Sequence, residues 1–202
     1  IGLIWTVLAF YLMFSSNGKA WLANPVSVVF SGIALSLAVT IVTDEISRLM
    51  LLSQGVKPID VIFAYGAAEI TQFANAVDAA GRRSYAMFQL GQDALAPPAF
   101  CCLLMSVYRA TVQSAMVKRV CTGFAFVYLV SVLLANNLMP IIMLNYPNTD
   151  GLVLGILYDL VPLLDIIKYS TEAIAYIITI GAWVWQILYW LRGRKDRQPA
   201  AL

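Results

Sequence analysis

The sequence predicts an all-α integral membrane protein: a four-helix transmembrane bundle plus an interfacial amphipathic helix, with a fifth, N-terminal transmembrane helix if the opening run is complete upstream. Three observations carry this expectation. Of the 202 residues, 61% are hydrophobic and 12% charged, with a mean hydropathy of +0.79, whereas soluble domains carry about 25% charged residues. Four apolar stretches approach or exceed the length of about 20 residues that a spanning helix needs. The basic residues alternate between the segments that join those stretches, as topology in a membrane requires. The whole chain, 1–202, reads as one transmembrane domain.

The chain opens inside an apolar run, 1–14, without an initiating Met, which predicts a helix continuing upstream. The first full span is 25–43. Asn24 offers a side-chain cap and Pro25 occupies the first helical position, where a missing N–H does no harm. Gly32, Ser36 and Thr40 fall four apart on this span and form a small-residue ridge where another backbone can approach. Residues 58–80 follow. Ile59, Ile62, Phe63, Gly66, Ile70, Phe73 and Val77 keep helical three-four spacing while Asp60, Thr71, Gln72, Asn75 and Asp78 fall elsewhere. That pattern predicts one interfacial helix, with Gly81 as its C-terminal cap.

The second span, 84–108, contains Asp93 and then Pro97 and Pro98, which are expected to break or kink it just below Asp93. The third, 121–144, contains Asn136, Asn137 and Pro140. Residues 151–164 are too short to cross and are expected to form a re-entrant or surface helix. The fourth span, 169–191, ends in an aromatic belt of Trp183, Trp185, Tyr189 and Trp190 just before RGRK. Segments 15–24 and 109–120 and the tail hold Lys19, Arg109, Lys118, Arg119, Arg192, Arg194, Lys195 and Arg197 against Asp196 alone. Segments 44–83 and 145–168 are rich in Asp and Glu. The C-terminus is therefore expected on the cytoplasmic or matrix-like side.

In that frame the polar residues of the spans gather in the outer half. Asp93 lies nine residues into the second span, so about 13 Å deep on the helical rise. Tyr85, Gln89 and Asp93 are spaced by four and are expected to share a face. An ionisable group at such depth is expensive unless paired or hydrated, so Asp93 should face the bundle interior. Asn136, Asn137 or the Lys168/Glu172 pair are the candidate partners, and Lys168 and Glu172 can also pair with each other. The candidate ligand or polar cluster is Tyr85, Gln89, Asp93, Asn137, Lys168 and Glu172. It is either a cavity in which Asp93 titrates or interhelical hydrogen bonding that fixes the packing. Arg82 and Arg83, at the outer mouth of the second span, read as snorkelling residues or as ligands for a lipid headgroup or partner segment.

The sequence contains no histidine, which removes histidine-ligated haem, most catalytic zinc sites and every Ser-His or Cys-His mechanism. No cofactor, metal site or catalytic residue is expected. Cys101, Cys102 and Cys121 lie in or beside apolar runs and are expected to be buried thiols. A net charge of +2 without a basic run interleaved with aromatics points away from nucleic acid.

GRRSYAMFQLGQD before a proline, and NNLMPIIMLNYP before a later lysine, resemble a largely uncharacterised family of small four-span integral membrane proteins. In that family a Gly-Arg-x-x-Tyr stretch leads into a helix carrying Asp and then Pro. An Asp-x-x-Glu-Asn motif later precedes Tyr-Pro, and a Lys opens the last span. Gly81, Arg82, Tyr85, Asp93, Pro97, Asn137, Tyr146, Pro147 and Lys168 match this pattern, whereas Leu133 and Asn136 stand in the places of its acidic pair. The resemblance covers about residues 25–190 and implies a four-helix fold with an interfacial segment. It supplies no agreed activity, and any chemistry that needs the acidic pair is expected to be lost here.

The first functional expectation is a non-catalytic accessory subunit of a larger, energy-transducing membrane complex. Its partners would be other membrane subunits and structural phospholipids. Its place would be the mitochondrial inner membrane, or alternatively a bacterial plasma membrane. The second is a small transporter or proton-coupled carrier using Asp93 and the outer polar cluster. The third is a lipid-modifying membrane enzyme with a cavity lined by Asp93, Gln89, Asn137 and Lys168.

Overall fold

The computed structural model describes the backbone of residues 2–112, 114–148 and 150–195, and side chains from residue 4 onward except those at 182, 183, 186 and 189–195. The described residues are helical, without strands. α1 (Gly2–Phe14) and α2 (Ser16–Leu22) form a tight hairpin, so the expected connecting segment 15–24 is itself largely helix. Ser15 caps α2 by accepting the Gly18 N–H at 2.9 Å. Gly18 marks the point of closest approach, since a Cβ there would stand 2.4 Å from the Leu12 Cα. α3 (Pro25–Leu52) starts as expected, with the Asn24 side chain accepting the Val26 N–H at 3.0 Å. It runs beyond residue 43 because its last turns are held by the buried Leu49 and by the Arg48–Glu45 ion pair.

The small-residue ridge does not mediate packing within the chain. α3 turns Ser27, Ser31, Ala38 and Leu49 inward. Ser36 and Thr40 are exposed, and their hydroxyls donate to Gly32 O and Ser36 O of their own helix at 2.9 and 3.0 Å.

Residues 58–80 are not one helix. A 3-10 turn at Ile59–Val61 and a loop through Ala64, at φ 53°, precede α4 (Ala67–Ala76). Glu69 caps α4 by accepting the Gly66 N–H at 2.8 Å, which holds its carboxyl below the ordinary range. Ile59, Ile70, Phe73 and Val77 are buried as the periodicity predicts, but Phe63, on the loop, is 67% exposed. Asp78 ends the segment by capping α5 (Ala79–Leu90), accepting the Gly81 N–H at 2.7 Å. Gly81 thus sits in the first turn of the next helix and is not a C-terminal cap. A Cβ there would lie 2.9 Å from that of Val77.

The second span is interrupted one turn earlier than expected. α5 ends at Leu90, a 3-10 turn follows at Asp93–Leu95, and α6 (Ala96–Thr111) begins with Pro97 and Pro98 in its first turn. There the prolines cost no hydrogen bond, so they start a helix instead of breaking one. α7 (Ala115–Asn145) tolerates Pro140 inside it. α8 (Leu152–Lys195) merges the expected surface helix 151–164 with the expected span 169–191. At 44 residues it is about 66 Å long on the helical rise. Pro162 removes one donor without ending it, because Leu157, Val161 and Leu164 on both sides of the proline are buried.

Among the described residues three helical stretches are long and apolar enough to cross a membrane: Pro25–Leu52, Ala79–Thr111 and Ala115–Asn145. Ile4–Phe14 is apolar but shorter. Of the expected aromatic belt, Trp185 is exposed, while the side chains of Trp183, Tyr189 and Trp190 and the charged tail lie outside the described residues. The core falls into two clusters. One joins the ends of α3 and α7 to α4, α5 and the start of α8, around Leu49, Phe73, Tyr85, Met143 and Val161. The other joins α1, α2, α6 and the start of α7 to the middle of α8, around Met13, Leu104, Tyr108, Leu129 and Ala175.

Candidate functional site

The first cluster carries a buried polar network. On α5 Tyr85 and Gln89 share an inward face, as their spacing predicts, and the Gln89 Nε2 donates to the Tyr85 Oη at 3.0 Å. The same amide donates to Asp60 Oδ1. Asp60 comes from the 3-10 turn, which the rigid Pro58 precedes. Its backbone carbonyl accepts the Tyr169 hydroxyl of α8 at 2.6 Å, so two helices anchor this residue. Its other carboxylate oxygen, Oδ2, is buried with no hydrogen-bond partner. Burial pushes the Asp60 carboxyl above the usual aspartate value, against the pull of the nearby Lys168 ammonium.

Asp93 lies past the end of α5 and therefore leaves the Tyr85–Gln89 face. It reaches α7 instead, accepting a hydrogen bond from Asn136 Nδ2 at 2.7 Å. Asn137, placed in the cluster by the sequence, is exposed and donates to Leu133 O of its own helix at 2.7 Å. One residue on an α-helix is a turn of about 100°, so of two adjacent asparagines only one can face the bundle.

Lys168 pairs with Asp165, 3.4 Å away on the same helix, rather than with Glu172. Asp165 is only 5% exposed, and its Oδ2 accepts the Tyr65 hydroxyl. The ammonium of Lys168 also lies 4.8 Å from the centroid of the Tyr169 ring. Glu172 is half-buried one turn further along α8. Asp60, Asp93 and Asp165, from three elements, all lie within electrostatic reach of the Lys168 ammonium, and so does Glu172. Sequence spacing did not reveal Asp60, Tyr65, Asp165 or Tyr169. The one local signal was Asp165 and Lys168, three apart on a helical stretch.

Arg82 is engaged within the chain. Its guanidinium donates to Ala74 O and Val77 O at 3.0 and 2.9 Å and stacks 5.3 Å over the Tyr146 ring. It closes the C-terminal end of α4, whose last carbonyls have no helical donor. Arg83, the next residue, is exposed. The cysteines are free, and the Cys101 thiol donates to Ala125 O at 3.2 Å. Among the described residues no three Cys, Asp or Glu side chains converge on a position for a metal ion. Like-charged carboxylates in a medium of low dielectric share protons, and each of the three has its own neutral donor: Gln89 for Asp60, Asn136 for Asp93 and Tyr65 for Asp165. No family model matches the chain, and neither a curated protein nor a solved structure matches it.

Proposed function

We propose that this protein is a small proton-handling membrane carrier whose working part is the network of Asp60, Asp93, Asp165 and Lys168. The observation that carries the proposal is that Asp165 pairs with Lys168 at 3.4 Å and that Asp60 and Asp93, on two other elements, act electrostatically on the same ammonium inside an apolar helical bundle. If all four were charged, two negative charges would be left without compensation where each costs several kcal/mol. The cluster therefore keeps at least one carboxyl protonated, and uptake or release of that proton changes its charge. Asp93, at the interruption of the second span, is held by a neutral amide and not by a cation, which suits a site that alternates between protonated and ionised. Interrupted helices at membrane depth are tolerated where they line a polar interior. The apolar C-terminal part of α8, with Ile177, Ile180, Trp185 and Ile187 exposed, is read as the fourth span.

Proteoliposomes carrying a trapped pH-sensitive dye test this. Collapse of an imposed pH gradient is expected to slow about a hundredfold in Asp93→Asn, the effect typical of losing one positioned proton-transfer group. Asn137→Ala should leave it unchanged. Equal rates in wild type, Asp93→Asn and Asp165→Asn would reject the proposal.

A specific observation also favours the accessory-subunit reading. One whole face of α3, including Val29, Phe30, Ile33 and Leu37, is exposed, and so is the α8 face just named. Both suit neighbouring membrane helices as well as lipid. Co-migration of a second polypeptide with the protein in mild detergent distinguishes the two readings.

A further inference from the structure

At the opposite end of the bundle four cations line one pocket of about 370 Å³: Lys19 of α2, Arg109 of α6, and Lys118 and Arg119 of α7. Phe14 and Met105 form part of its apolar wall. Among the described residues no carboxylate forms an ion pair with these charges. Residues 1–43, 94–149 and 173–195 contain neither Asp nor Glu, so every helix that lines the pocket lacks a carboxylate. The Nε of Arg109 is buried and has no hydrogen-bond partner. Lys118 and Arg119 stand in the first turns of α7, where the positive end of the helix dipole disfavours cations. Their charge and the dipole add, and both call for an anion.

We infer that this pocket binds the phosphate of an anionic membrane phospholipid. The guanidinium and ammonium groups meet the headgroup, and the acyl chains run along the apolar surface beside it. That surface is present: Tyr11 and Phe14 on α1 and Met116, Val117 and Val120 on α7 are all exposed next to the cations. The pocket lies at the joint between α6 and α7, where two of the three membrane-length stretches end, which is the level at which headgroups lie. An amphipathic anion satisfies both halves of the pocket, whereas a free phosphate satisfies only one. This site is distinct from the carboxylate network and does not depend on the proton-handling proposal.

Native mass spectrometry of the protein released from nanodiscs of mixed phosphatidylcholine and phosphatidylglycerol reads this directly. The wild type is expected to retain phosphatidylglycerol preferentially. Each cation near a lipid surface contributes about a fivefold effect, so Lys118→Ala/Arg119→Ala should lower that preference about 25-fold. Lys118→Arg/Arg119→Lys should keep it. Should the double variant fail to fold, Lys19→Ala, at an exposed position, is expected to show about a fivefold loss alone. Equal retention of both lipids by the wild type, or a preference untouched in a folded variant, overturns the inference. So does displacement of the lipid by inorganic phosphate in modest excess, which would make the pocket a site for a soluble anion.

Discussion

The two halves of the bundle solve the same packing problem with different chemistry. In the half around Tyr108 and Leu129 the interhelical polar ties are neutral. The Ser27 hydroxyl donates to the Ser106 Oγ at 2.9 Å, the Tyr108 hydroxyl to Ala175 O at 3.3 Å, and the Cys101 thiol to Ala125 O at 3.2 Å. In the half around Tyr85 and Val161 the corresponding ties involve Asp60, Asp93 and Asp165, the last paired with Lys168 of its own helix. Neutral hydrogen bonds between membrane helices contribute about 0.6 kcal/mol each on average, and the first half shows that they suffice to hold these helices together. Ionisable groups cost several kcal/mol at depth. The second half carries that penalty, as the proposed proton handling requires.

The contrast can be broken most forcefully at Asp165. Asp165→Ala leaves the Lys168 ammonium without its nearest carboxylate and the Tyr65 hydroxyl without its acceptor. A loss of about 3–5 kcal/mol is expected, the range for removing one partner of a buried pair. Ser106→Ala, in the other half, should cost about 1 kcal/mol or less. Thermal unfolding of the two variants in the same detergent checks the ordering. Similar losses would mean that the two halves are held in the same way.

A smaller effect separates the two asparagines. Asn136→Ala removes the hydrogen bond to Asp93 and should cost about 1–3 kcal/mol, as an unsatisfied buried polar group does. Asn137→Ala removes only an exposed bond to its own helix and should stay within about 0.5 kcal/mol of wild type. The same unfolding assay reads both. If Asn137 proved the costlier of the two, Asp93 would have a different partner in solution.

Those two asparagines also show how much could be read in advance. Composition and run length are sums over many residues, so the helical class, the spans at 25–43 and 121–144 and the cap at Asn24 were legible. The Tyr85–Gln89 face was legible as well, because four-residue spacing within one helix fixes a shared direction. What failed was geometry across a break. Asp93 is four residues from Gln89, but Gly91 and the 3-10 turn intervene, and the periodicity stops there. Gly81 and Pro97 mark helix starts here, although both residue types more often signal ends. Arg82 looked like a surface anchor because nothing local shows that α4 ends six residues earlier, at carbonyls that need a donor. Asp60 stands 108 positions before Lys168 in the sequence, and only tertiary structure brings the two within reach of each other.

The finest test of the contrast is the pH dependence that Asp60 gives its half of the molecule. Burial raises its carboxyl above the ordinary value of 3.8; Lys168 and the hydrogen bond from Gln89 oppose the shift, and Asp165 adds to it. The folded protein then holds this proton more tightly than the unfolded chain does. The favourable contribution is complete below 3.8, and it is lost as pH rises through the raised folded value. Asp60→Asn keeps an oxygen to accept the Gln89 hydrogen bond while removing the titration. The variant should therefore unfold at a temperature less dependent on pH and should gain on wild type steadily as pH rises from acid towards neutral. Unfolding midpoints of the pair across that interval measure the gap. A gap widening towards acid would mean that attraction to Lys168 outweighs burial, making Asp60 a structural anion and leaving the exchangeable proton to the rest of the network.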